Sequence, residues 1–382
     1  DNLLKVRRGL CGCVSTSTST PSTLLLPSCT MLSSVSLGVV LFAASASFAT
    51  AAAWQEITPG LPTICSKGAP FQFYYKKGTV NKLVVEFEGG GACWNDATCA
   101  LGTFTTTCRP PNDQGVHSST DKRNPFKDWS HVFVPYCTAD AHGGNKTTVY
   151  KGLFGQKLTI HHKGRVNVFA ALNYTFALPE NAKPDVVATI GCSAGSLGAI
   201  INVPYVDVQY PTAKQMYFGD SYVGVISTQQ FSDGITNWDL QFSPSVPGLD
   251  AANLARVAAD PTIDAGLFIV NATISASNPD CEFASYTSNA DAVQSSFYTL
   301  GGGTDWTGHM RHLTATIHAT HGSQYSTYIA PGSRHCRTQD DGLWSVKSDE
   351  ILLGDWMTAF VADNIVQRQV DCKNSPDGTD KC

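Results

Sequence analysis

Gly191-Cys192-Ser193-Ala194-Gly195 has the G-x-S-x-G spacing of a turn that lifts a serine hydroxyl clear of a sheet at the start of a helix. Such a turn leaves no room for side chains on its flanks, hence the glycines. The pattern is weak by itself in a chain rich in Gly and Ser. It gains weight from the β-branched run before it and the helical sequence after Gly195. A serine hydroxyl is inert until a base takes its proton, and that base needs an acid to orient it. Five histidines follow residue 291: His309, His312, His318, His321 and His335. The first three lie on or beside a segment of helical spacing, on its polar side. His335 lies three residues beyond Gly332, just past a strand end, where catalytic groups gather in α/β sheets. It is the expected base. Spacing leaves the acid open among Asp220, Asp280, Asp291 and Asp305. Gly89-Gly90-Gly91, directly after another strand, is backbone able to approach a substrate closely. With the Ala194 N–H it could cradle a developing oxyanion. No Lys-Ser or Lys-Thr pair follows those glycines, which argues against a phosphate loop. Cys192 raises the thought of a thiol enzyme, but at so tight a turn it should point away from Ser193, buried or bridged.

These groups need a rigid frame. Residues 71–75 and 82–87 are β-rich runs that read as a hairpin through Lys77-Gly78, and the second ends at the glycines. Residues 132–135, 186–190, 215–218 and 327–330 are further short strands, and 267–274 is an apolar, β-branched run that reads with them. Residues 165–178 have helical spacing, as do Trp306, Met310, Leu313 and Ile317. Strands of buried type alternating with helices predict an α/β fold: a mainly parallel sheet with helices on both faces.

Met31 opens a stretch with an apolar core at 35–48 and small residues up to Ala53, which reads as a signal peptide cleaved near Ala53. Residues 1–30 read as translated upstream sequence. The expected organisation is therefore 1–53 as upstream segment plus signal peptide and 54–382 as one secreted domain. Removing 1–53 takes away three basic residues and one acidic one, so the net charge goes from −5 to −7. An acidic chain without basic runs argues against nucleic acid as partner. No other run is long and apolar enough to span a bilayer. Ten of the thirteen cysteines fall after residue 53, and an even set in an exported chain reads as disulfides rather than metal ligands. Cys93 and Cys99 are close enough in sequence to close a small loop. Asn145, Asn173 and Asn271 head glycosylation sequons.

Phe87-Glu-Gly-Gly-Gly-Ala-Cys-Trp94, Pro135-Tyr-Cys-Thr-Ala-Asp140, Gly191-Cys-Ser-Ala-Gly195 and Tyr328-Ile-Ala-Pro-Gly-Ser-Arg-His335 together resemble the pectin acetylesterase family, which includes the Notum deacylases. The resemblance implies an α/β-hydrolase-like, disulfide-bonded fold and carboxylester hydrolysis without metal or cofactor. Position by position it implies Ser193 as nucleophile, His335 as base, and Gly90, Gly91 and Ala194 as oxyanion donors. Asn289-Ala-Asp-Ala-Val-Gln294 is similar to the family's acid segment, which implies Asp291 as the acid, although Ala290 stands where an aromatic residue is usual. Asp140 and His142 are expected at the substrate mouth. The implied substrate is an O-acetylated extracellular polysaccharide such as pectin. The alternatives are a lipid carried on a protein, as in Notum, or a non-catalytic carbohydrate-binding role for the same fold.

Overall fold

The computed structural model describes residues 53–374. The expected signal peptide and upstream segment lie outside the described residues, apart from Ala53. One sheet of nine strands runs in the spatial order Gln55–Ile57, Phe73–Lys76, Ser130–Val134, Lys82–Phe87, Val186–Cys192, Lys214–Asp220, Glu282–Ser288, Tyr325–Ala330 and Gln369–Asp371. The seven strands from Ser130–Val134 onward pair in parallel; the first two pairings, at one edge, are antiparallel.

Alternation along the strands builds two cores. Leu83, Val85 and Phe87 face one way, among the buried residues of helices Gly164–Ala177, Ala194–Gln209, Ala265–Ala276 and Trp306–His321. Val84, Ile190, Met216 and Phe218 face the other way, against Trp356, Met357 and Phe360 of helix Leu353–Val361. Both faces are covered, as expected.

Two expectations fail locally. Lys82–Phe87 is no hairpin partner of the 73–76 strand. It is central, with parallel neighbours on each side, and Phe73–Lys76 pairs instead with Ser130–Val134. The Lys77-Gly78 turn packs onto that same neighbour, where a Cβ on Gly78 would stand 2.2 Å from the Ser130 nitrogen. The apolar run at 267–274 is helix, not strand. The Asp264 carboxylate caps the helix by accepting from the Leu267 N–H at 3.0 Å, and Ile269, Val270, Thr273 and Ile274 recur at helical spacing as its buried stripe.

Cysteine pairs Cys65–Cys137, Cys93–Cys99 and Cys192–Cys336 are bridged, and Cys372 is also disulfide-bonded. Cys108 and Cys281 are free thiols, so oxidation of the whole set does not hold. The Cys108 sulfur lies 3.6 Å from each sulfur of the Cys65–Cys137 bridge. Among the described residues no helix is long and apolar enough to cross a membrane. Of the sequon asparagines, Asn173 is exposed, while Asn145 and Asn271 are half-buried.

Candidate active site

Strand Val186–Cys192 delivers Ser193 to the sheet's C-terminal edge, where helix Ala194–Gln209 begins. Ser193 sits at φ 57° and ψ −125°, the positive-φ backbone of a nucleophile elbow. Only glycine fits around it. A Cβ on Gly195 would lie 2.0 Å from the Phe87 carbonyl oxygen, and one on Gly191 would lie 2.2 Å from that of Gly195.

Asp291 is fully buried and forms the N-cap of helix Ala292–Leu300, accepting from the N–H groups of Val293 and Gln294 at 3.0 and 2.9 Å. Its other oxygen accepts from Gln294 Nε2 at 3.0 Å. The carboxylate so fixed takes a hydrogen bond from His335 Nδ1, 2.9 and 3.0 Å from its two oxygens. His335 and Ser193 line one cleft, with Gly91 and Ala194 beside them. No hydrogen bond joins Ser193 to His335, a contact that is often long without substrate.

Asp220, the rival acid, does not touch the histidine. It is fully buried, and its Oδ2 accepts from the N–H groups of Arg337 and Thr338 and from the Thr338 hydroxyl, each at 2.7 Å. Its Oδ1 accepts from Ser221 Oγ at 2.8 Å, and that oxygen in turn accepts from the Cys336 N–H at 2.8 Å. The Cys192–Cys336 bridge ties the residue before Ser193 to the residue after His335. A bridged or buried Cys192 was expected, but its partner and the Asp220 contacts were not legible beforehand.

Gly91 has φ +77°, and a Cβ there would lie 1.9 Å from the Thr103 carbonyl oxygen, so no side chain fits. Gly90 packs against Tyr136 and Thr105, and its carbonyl accepts from the Thr105 N–H at 2.8 Å. Asp140 and His142 do not line a mouth: they are 0% and 2% exposed. Asp140 accepts from the Gly164 N–H at 2.7 Å at the start of a helix and from Thr138 Oγ1 at 2.6 Å. His142 Nε2 donates to the Glu88 carbonyl at 2.8 Å, steadying the backbone that leads into the glycines. Burial holds His142 neutral, lowered to about 4, so that it can act as this donor.

Burial also pushes the Glu88 carboxyl up to about 7, against the opposing pull of the Tyr136 N–H it accepts from. A carboxyl raised in the folded state binds its proton more tightly there than in the unfolded chain. Its contribution is complete below the unfolded value near 4.5 and is lost as pH rises through about 7. Relative to wild type, Glu88→Gln should therefore gain roughly 3 kcal/mol of stability between pH 4.5 and pH 8. Denaturant unfolding of both proteins at the two pH values measures this, and a constant difference would mean that folding does not raise the Glu88 carboxyl.

Comparison with known proteins adds relatives to this geometry. The family model described as Pectinacetylesterase matches residues 60–223, which include the glycine run and the elbow. Palmitoleoyl-protein carboxylesterase NOTUM of Schmidtea mediterranea is 26% identical over 151 residues, covering 36% of this chain and 27% of that protein. Pectin acetylesterase 7 of Arabidopsis thaliana is 27% identical over 150 residues, covering 36% and 37%. The matches thus span about a third of the length of these relatives. Among solved structures, the Wnt deacylase Notum from Drosophila superposes with a TM-score of 0.63 at 14% identity, covering 84% of this chain and 96% of that one. In sequence over residues 60–223 and in fold, the chain is similar to the pectin acetylesterases and the Notum carboxylesterases.

Proposed function

We propose that the chain is a secreted serine carboxylesterase that removes short acyl groups, acetyl foremost, from an extracellular polysaccharide. One observation carries the chemistry: a buried, fully hydrogen-bonded carboxylate orients His335 toward a cleft shared with a serine held at positive φ. His335 Nε2 takes the Ser193 proton as Oγ attacks the ester carbonyl. Backbone N–H groups of the Gly90–Gly91 turn and of Ala194 stabilise the oxyanion. The imidazolium, held by Asp291, returns the proton to the departing alcohol. Water activated by His335 then releases the acid and restores Ser193.

The names of the relatives support both polysaccharide acetate and protein-bound lipid as substrates, and the cleft bears on the choice. Its walls are apolar, with Trp94, Leu197, Val225, Trp238 and Phe297, and it encloses about 90 Å³. That suits acetate or a slightly longer chain. Each further methylene that fits adds about 0.8 kcal/mol, roughly fourfold in binding, until the aromatic wall is met. Disulfides support an oxidising, extracellular setting.

Two measurements test the reading together: labelling of Ser193 by a fluorophosphonate, and kcat/KM for acetate, butyrate, octanoate and decanoate esters of one leaving group. Labelling with an optimum at acetate or butyrate is expected. A steady rise to decanoate would move the assignment to lipid removal. Loss of labelling in the folded protein would leave only a carbohydrate-binding role.

A further inference from the structure

An ester has two halves, and the apolar cleft accounts only for the acyl one. Ile226 and Tyr298 line both the cleft and an open groove of about 920 Å³ on their other side. Its walls are the start of helix Thr228–Trp238, the start of helix Ala265–Ala276, and the Gly301-Gly302-Gly303-Thr304 turn. The lining is of another kind from the cleft's. Thr228, Gln229, Ser232, Thr262 and Thr304 offer hydroxyl and amide groups. On the floor, Asp264 Oδ2 accepts from His309 Nε2 at 2.6 Å, and His309 Nδ1 meets the Tyr298 hydroxyl at 2.8 Å. These side chains are partly exposed; both His309 nitrogens are engaged, which leaves the remaining lone pairs of Asp264 and of the Tyr298 hydroxyl as acceptors, beside an aromatic edge.

Charge then narrows what the groove can hold. Among the described residues neither Lys nor Arg lines it, and its one carboxylate is Asp264, paired with His309. The two helix starts do not make it an anion site, because Ser227 and Asp264 already cap them. Arg334, next to the base, pairs with Asp340. A polyuronate laid here would set a carboxylate on every residue near Asp264, with no lining Lys or Arg to offset it. A neutral chain of hydroxyls meets complementary donors and acceptors throughout.

We propose that this groove is the acceptor subsite of the esterase and that it selects a neutral, hydroxyl-rich glycan over an acidic one. The proposal rests on the serine-esterase reading of Ser193. It goes further in naming where the alcohol half lies and in excluding a polyuronate as the preferred acceptor.

The test uses the full secreted protein and three substrates: acetylated xylan as neutral glycan, acetylated polygalacturonate as acidic glycan, and 4-nitrophenyl acetate as an ester without a glycan. Wild type should show at least tenfold higher kcat/KM on the neutral polymer than on the acidic one. In Gln229→Ala and in Thr304→Trp, which fills the groove, the ratio of xylan to 4-nitrophenyl acetate activity should fall at least fivefold, through KM. Thr262→Lys, which supplies the missing cation, should raise the ratio of polygalacturonate to xylan activity. The proposal is overturned by equal or better wild-type activity on polygalacturonate, by turnover of the small ester but of neither polymer, or by unchanged ratios in all three variants. Absence of 4-nitrophenyl acetate turnover and of fluorophosphonate labelling in wild type is a different failure, that of the esterase reading itself.

Discussion

In Ser193→Ala, kcat for an aryl acetate should fall by roughly 10⁵- to 10⁶-fold, while the unfolding midpoint stays close to that of wild type. Loss of the nucleophile alone costs a serine hydrolase about as much as loss of its whole triad, because the serine, base and acid act as one unit. Stability is spared for local reasons. Alanine keeps the Cβ that the elbow already accommodates, and the Ser193 hydroxyl has no hydrogen-bond partner among the described residues to leave stranded. The change thus isolates chemistry from folding. Steady-state kinetics with thermal unfolding on the same sample measure both quantities. Full turnover in a folded, uncontaminated variant would sink the mechanism.

Asp291→Asn should cost about 10⁴-fold in kcat, with Asp220→Asn doing far less to chemistry and more to stability. The asymmetry follows from what each carboxylate touches. Asp291 meets His335 Nδ1, so an amide in its place can present N–H where an acceptor is needed and hold the wrong imidazole tautomer. The imidazolium of the transition state also loses its counter-charge. Asp220 meets three backbone or hydroxyl donors of the 337–338 turn and the Ser221 hydroxyl, so its loss leaves buried donors short, at about 2 kcal/mol or more. Urea unfolding separates the two effects. A larger kcat loss in Asp220→Asn at equal stability would require the triad to be redrawn around Asp220.

Much of the frame was open to a reader of the sequence because it is written in local patterns. The elbow strand, the following helix and the Trp306, Met310, Leu313, Ile317 stripe each carry their own periodicity. Residues 82–87 misled because a hairpin is the cheapest partner that sequence distance suggests, while burial on both faces demanded neighbours more than forty residues away. Residues 267–274 misled because an apolar run of eight carries no decisive period, and the deciding signal, Asp264 as a cap, lies outside it. At the site, Ser193 and His335 stand out because glycines and a strand end mark them. Asp291 stood out only through family resemblance, since four aspartates satisfied the chain order. Asp140 and His142 looked like surface polar residues because sequence does not reveal that a helix start and a carbonyl would bury and satisfy them.

The bridge between Cys192 and Cys336 gives the catalytic geometry an address as well as a shape. It staples the flank of the serine to the flank of the histidine across 144 residues of chain. Alignment of the two groups is thereby written partly in an electron count. Before that pair is oxidised, the sheet can be complete and the serine loop and histidine loop still lack their covalent tie. An esterase built this way needs an oxidising compartment for that tie, a requirement that the proposed export would meet.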